Sequence, residues 1–219
     1  HGGTLLALIL YFREPLVRLI QGFVSPASAA AEWDRLLLPL FTGTLPILAA
    51  GAALIWLDVE RLRTPGPTCF NLAFFGLLLW LADGIENKQT DLWSLTALQG
   101  FWIGLAQALA LMPGVSRSGV TMTAALLLGL CRPEAARFAF LLGIPAISMA
   151  IGAKVLELWA SRDLPAAALG GEYLVSVLAA FLSGLTSIRL LLRFLETRTM
   201  KPFVFYRLAL SLVLLVWLL

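Results

Sequence analysis

The sequence predicts an all-α polytopic membrane protein, and three observations carry that prediction. Of its 219 residues, 60% are hydrophobic and 13% are charged, against roughly 25% charged in a soluble domain, and the mean hydropathy is +0.89. The apolar residues also gather into runs near the spanning length of about 20 residues, parted by short loops rich in Lys and Arg. Finally, one apolar segment is interrupted at its centre by Pro113 and Gly114, which leaves two arms that are each too short to cross a bilayer.

The elements follow in order. The opening run, Gly2 to Phe12, is too short to span and has no signal-peptide layout. It is expected to be the end of a helix that starts upstream of His1, in a product longer by about 40 to 50 residues, enough for one hairpin and the rest of a span. Leu36 to Leu57 is a full span and Thr68 to Ala82 a short one. Asp83, Glu86 and Asp91 then form an acidic loop with Lys88, read as solvated. Ala97 to Leu130 reads as a re-entrant hairpin whose tip must be buried in protein or line a cavity, because irregular backbone is tolerated at membrane depth only there. Pro133 and Glu134 look like an ordinary helix start, and Ala136 to Leu158, Tyr173 to Leu192 and Pro202 to Leu219 complete the spans.

Three runs precede the hairpin and three follow it, so the chain is expected to be an inverted repeat of a re-entrant helical hairpin plus three transmembrane helices, with the first hairpin missing. In this reading residues 1–219 form a single integral membrane domain: 1–96 are the remainder of the first repeat and 97–219 the second, its re-entrant hairpin at 97–130. "GTLPILAAGA" (Gly43 to Ala52) beside "GIPAISMAIGA" (Gly143 to Ala153) is the only direct sequence trace of the repeat. Basic residues set the orientation: Arg13, Arg18, Arg35, Lys88, Arg132, Arg137, Arg189, Arg193, Arg198, Lys201 and Arg207 fall on the expected cytoplasmic side, against Arg61, Arg63, Lys154 and Arg162 outside. Arg207 reads as snorkelling to the cytoplasmic face. Trp56, Trp80, Trp159 and Trp217 lie at span ends, as an interfacial belt does. Cys69 and Cys131 fall on opposite faces and stay unpaired, and two cysteines with one histidine build no Cys/His metal site. The net charge of +3 sits in loops where it serves orientation, so nucleic-acid binding is set aside.

The chemistry is concentrated in "LMPGVSRSGVT", Leu111 to Thr121. Ser116 or Ser118 is placed to cap the second arm, whose first N–H groups then point at the break, and a helix N-terminus is an anion site. Arg117 adds a planar fork suited to phosphate oxygens. Thr121 brings another hydroxyl one turn on, three positions after Ser118. Close packing of small residues with a snorkelling arginine would account for Arg117 alone and leave the hydroxyl cluster unexplained. The tip therefore reads as an anion site, for a lipid phosphate or a transported anion, with Ser116, Arg117, Ser118, Gly119 and Thr121 as the candidate phosphate-binding residues.

"QALALMPGVSRSGVT" (Gln107 to Thr121), "FLLGIPA" (Phe140 to Ala146) and "PFVFYR" (Pro202 to Arg207) together resemble the bacterial undecaprenyl-diphosphate phosphatase family, the BacA type linked to bacitracin resistance. The resemblance implies a phosphatase of the inner membrane that converts undecaprenyl diphosphate to the monophosphate carrier used in cell-wall synthesis. It also implies a divalent cation, Mg2+ or Ca2+, and Ser116, Arg117 and Thr121 as catalytic positions; a homodimer is compatible with it. The family's first motif, a glutamate-rich stretch followed by Pro-Val-Ser-Ser-Thr-Gly-His, is absent from this sequence. The metal-binding carboxylates are accordingly expected upstream, and this chain alone is expected to bind a prenyl diphosphate without hydrolysing it. A transporter or flippase of a phosphorylated prenyl lipid or small anion is the competing reading, since inverted repeats with broken helices are also transporter architecture.

Overall fold

A computed structural model describes residues 2–24, 31–54, 64–85, 90–161 and 171–218. His1, Trp56, Arg61, Arg63, Glu86, Lys88 and Arg162 lie outside the described residues. Among those described, the chain forms α1 (Gly2–Tyr11), α2 (Arg13–Val24), α3 (Ala31–Leu54), α4 (Pro65–Gly84), α5 (Ala97–Ala108), α6 (Arg117–Leu127), α7 (Arg132–Ser161), α8 (Gly171–Thr197) and α9 (Lys201–Leu218), with 3-10 turns at Leu92–Ser94 and Leu109–Leu111. Five of these helices are long and apolar enough to cross a membrane: α3 from Arg35, α4, α7 to Ala160, α8 and α9. The protein is an all-α, multi-pass membrane protein.

Two elements differ from expectation. The short span Thr68 to Ala82 is a full one, because Pro65 takes the first helical position after Thr64 and the helix runs on to Gly84. The opening run ends at a single turn residue, Phe12, whose carbonyl accepts from Leu16 N–H at 2.9 Å, and a second helix, α2, continues from it. Arg13, Glu14 and Arg18 hid α2 from a search for unbroken apolar runs, although Leu16 and Leu19 recur at helical spacing and pack on the core.

Small residues let the helices approach. On α5, Gly100 and Gly104 lie four apart and meet Pro39 and Gly43 of α3; a Cβ on Gly100 would reach to 2.6 Å of Pro39 Cα, and one on Gly104 to the same distance from Gly43 Cα. Thr42 Oγ1 donates to Ala97 O at 2.7 Å across this contact. The same device joins α1 to α8, where Gly3 packs on Ala180 and Gly184 on Ala7. A core of Leu36, Ile103, Leu126, Leu130, Phe138, Leu142 and Leu195 is fully buried between these helices. Leu174, Val175, Leu156 and Trp217 are about two-thirds or more exposed, as surfaces that face lipid are.

One end of the bundle is tied by a buried carboxylate. Asp83, at the end of α4, is 3% exposed; it accepts from Arg132 Nε at 2.5 Å and from Met200 N–H at 3.0 Å, while Arg132 Nη2 donates to its carbonyl at 3.1 Å. Asp83 is thus not a solvated loop residue: its carboxylate holds together the end of α4, the start of α7 and the α8–α9 junction. Asp91 remains exposed. Beside this latch Thr90 N–H donates to Gly129 O at 3.0 Å, so both feet of the α5–α6 hairpin stand at the same end of the molecule.

Candidate active site

From those feet α5 rises 12 residues, about 18 Å at 1.5 Å per residue, which sets the tip near the middle of a hydrocarbon core about 30 Å thick. The arm starts at a capping box: Thr96 Oγ1 accepts from Gln99 N–H and Gln99 Oε1 from Thr96 N–H. It ends in the Leu109–Leu111 turn, and the chain then reverses through Pro113 and Gly114. Gly114 has φ +85, and a Cβ there would meet Asn71 Cβ at 3.1 Å, so both conformation and proximity require glycine.

Exposed carbonyls at this depth need partners, and two helices supply them. Asn71 Nδ2 of α4 donates to Pro113 O at 2.8 Å, and Arg207 Nη2 of α9 donates to Gly114 O at 2.9 Å. Ser211 Oγ donates to Cys69 O at 2.8 Å, fixing α9 against α4 one turn beyond Arg207. The break is therefore braced from behind by α4 and α9.

Ser116 caps α6. Its Oγ accepts from Gly119 N–H at 3.3 Å and its carbonyl from Val120 N–H at 2.9 Å, while its backbone sits at φ 25, ψ 108, the only non-glycine with positive φ among the described residues. Strain of this kind persists where the surroundings impose it, commonly at binding and catalytic sites. The N–H groups of Arg117 and Ser118 have no acceptor among the described residues, and the partial positive charge of the helix start falls on them.

The five residues that the sequence singles out divide by environment. Ser116 is exposed, and Arg117, Ser118 and Gly119 are half-buried. Thr121 is fully buried and donates its hydroxyl to Arg117 O, so it secures the first turn from within. Two cavities meet at the helix start. One, about 360 Å³, has Arg117 and Ser118 at one end and runs between α1, α7 and α8. The other, about 450 Å³, is lined by Ser116, Ser118, Gly119 and Arg207 with Phe203 and Tyr206. Ser118 lines both.

Arg207 is the functional residue that sequence reading misplaced. It is 8% exposed, Nη1 lies 3.6 Å from the position of a Cβ on Gly119, and Nε has no partner. Snorkelling is excluded by that burial. An ionisable residue six positions inside an apolar helix was the available signal, since such residues face interiors or cavities. Gln107 is a second missed group: fully buried on α5, with neither Oε1 nor Nε2 partnered. Glu134 pairs with Arg137 at 2.9 Å and stays structural.

Neither Arg117 nor Arg207 has a carboxylate within ion-pair distance among the described residues. Two guanidinium forks, two hydroxyls and two free N–H groups thus converge on one helix start at mid-membrane depth. A site of two cations, hydroxyls and free N–H groups, with no carboxylate paired to either arginine among the described residues, stabilises a dense oxyanion such as a phosphate.

Residues 1–213 match the family model described as bacitracin resistance protein BacA. The chain is also similar to proteins named undecaprenyl-diphosphatase. It is 41% identical to that of Saccharophagus degradans, over 99% of this chain and 82% of the relative, and 41% identical to that of Hahella chejuensis, over 100% and 81%. To undecaprenyl-diphosphatase 2 of Stutzerimonas stutzeri it is 42% identical, over 99% and 81%.

Proposed function

The chain belongs to the bacitracin resistance protein BacA family, and from that premise we infer that it is an undecaprenyl-diphosphatase, a membrane hydrolase that releases the terminal phosphate of a prenyl diphosphate. In the balanced reaction one water adds to the terminal phosphorus, the phosphoanhydride bond breaks, and inorganic phosphate leaves while the monophosphate stays on the lipid. The observation that carries the reading is the convergence of Arg117 and Arg207, without carboxylate partners among the described residues, on the strained N-terminus of α6.

Each residue has a task on this reading. Arg117 and Arg207 bind the diphosphate from two sides and offset charge on its oxygens. The Arg117 and Ser118 N–H groups and the Ser116 and Ser118 hydroxyls donate to the oxygens that gain charge as the anhydride bond breaks, a preorganised contribution that needs no rearrangement during reaction. Gly119 leaves room for the Ser116 side chain and the Arg207 guanidinium, which a Cβ would approach to 3.1 and 3.6 Å, and Thr121 is a positioning residue that holds the Arg117 backbone in the first helical turn. The activity belongs, on this reading, to the bacterial inner membrane.

The resemblance also implies Mg2+ or Ca2+. Among the described residues no group of three His, Cys, Asp or Glu side chains stands close enough to hold a metal ion, and the charged side chains at the tip, Arg117 and Arg207, are cationic. These residues do not fit a cation, and we assign them to the phosphates alone.

The test supplies undecaprenyl diphosphate to the full-length protein in detergent and in liposomes. Inorganic phosphate and undecaprenyl phosphate are expected in equal amounts. Movement of the lipid across the bilayer with no phosphate released would overturn the hydrolase in favour of a flippase.

A further inference from the structure

The cavity between α1, α7 and α8 carries a guanidinium and a hydroxyl where it meets the α6 start and is mostly apolar beyond, with Thr4 and Ser187 as its other hydroxyls. Arg117 and Ser118 form the α6 end; Leu8, Phe140, Ile147, Ile188 and Leu191 form walls on three helices. Gly143 of α7 lines it too. Gly143 is buried, yet a Cβ built on it meets nothing within 4 Å, so the space in front of it is the cavity itself. It contrasts with Gly3, Gly100 and Gly104, where a Cβ would overlap a neighbouring helix. Here the missing side chain leaves a hollow that no other part of the described fold fills.

We propose that this cavity takes the first isoprene units of the lipid, and that Gly143 determines whether a branched prenyl chain is admitted beside Arg117. The proposal rests on the hydrolase reading and adds the direction in which the substrate lies. The Arg207 cavity sets Ser116, Ser118 and Arg207 among apolar walls that include Leu72, Leu79, Met122 and Phe203, and on this proposal it takes the terminal phosphate. The Arg117 cavity, where Gly143 leaves room for a branched chain, takes the phosphate attached to the lipid, with the chain continuing along Gly143 and Ile147. Ser118, which lines both cavities, is the bridge between the two phosphates.

Gly143→Phe and Gly143→Leu place carbon in the hollow without touching another helix, and a glycine removed from a helix interior does not lower its stability. With undecaprenyl or farnesyl diphosphate, both variants are expected to raise KM by about tenfold or more, since small changes of fit in an apolar pocket give 10- to 200-fold discrimination. Hydrolysis of isopentenyl diphosphate, which carries a single isoprene unit, is expected to change less than that of the longer substrates. In parallel, a farnesyl diphosphate with a diazirine on its first isoprene units is photolysed on the wild-type protein and the labelled residues are mapped. Label on 139–147 and 184–191, lost in Gly143→Phe, supports the assignment even if no phosphate is released, in which case the hydrolase reading alone falls. Label on 200–207 instead, or a wild-type KM for undecaprenyl diphosphate in both variants, overturns it.

Discussion

Ser116 holds a backbone conformation that a side chain disfavours, and it does so where the hairpin turns into α6. Replacing it with glycine removes strain of about 1–3 kcal/mol and sacrifices a cap whose exchange for glycine costs only a few tenths of a kcal/mol. Ser116→Gly is therefore expected to melt at the same or a higher temperature than the wild type. Its phosphate release is expected to fall about tenfold to a hundredfold, given that a hydrogen bond to a charged group is worth about 1.5–3 kcal/mol. Thermal unfolding in detergent alongside a phosphate-release assay reads both; a lower melting temperature with normal activity would make Ser116 an ordinary cap. At this scale the sequence was informative about local chemistry and silent about distance. Ser116, Arg117, Ser118 and Gly119 announced themselves because capping and anion binding are written within five consecutive residues. Arg207 is 90 positions beyond Arg117, and only the packing of α9 on α4 reveals that its guanidinium closes the same site. Thr121 was legible as a hydroxyl near the tip, but its bond to the Arg117 carbonyl depends on burial that spacing alone does not give.

Helices α3 and α5 meet where Gly104 leaves no room for a side chain. In a membrane the apolar effect does not drive helices together, so contact rests on close packing of small residues. Gly104→Ala is expected to force α5 away from Gly43, tilting the arm that carries the tip; overpacking costs about 1–3 kcal/mol even among side chains, and here the obstacle is backbone. Gly152→Ala, on α7 with nothing within 4 Å, should leave the melting temperature unchanged or higher. Equal stability of the two variants would show that the α3–α5 contact does not hold the hairpin. The long apolar helices were legible from composition because spanning length is a one-dimensional property. Helix α2 and the ends of α4 were not, since charges interrupt the first and prolines open the second. The solvated reading of Asp83 failed for a related reason: its partners, Arg132 and the Met200 N–H, come from helices that only the fold brings near.

At the scale of the whole molecule, the Asp83 latch and the Thr90–Gly129 bond gather the end of α4, both feet of the hairpin, the start of α7 and the α8–α9 junction at one end. Arg132, Arg137, Arg193, Arg198 and Lys201 cluster at that end, and the bias of basic residues predicts that it is the cytoplasmic one; moving Arg207 into the site leaves that prediction in place. A cysteine at position 197 is expected to resist impermeant thiol reagents applied to intact cells and to react once the membrane is opened; labelling from outside would invert the topology. Across the bundle α1 packs on α8, α3 on α7 and α4 on α9. The central claim is that Arg117 and Arg207 grip one diphosphate across the start of α6. Phosphate release from undecaprenyl diphosphate by the full-length protein, measured for Arg117→Ala and Arg207→Lys beside the wild type, tests it most directly. Arg207→Lys still offers Gly114 O a donor and should fold, but a point charge does not reproduce the fork. Each variant is expected to lose activity by at least about a hundredfold, the scale for one preorganised charge-stabilising donor, and near-wild-type release by either folded variant would contradict the account.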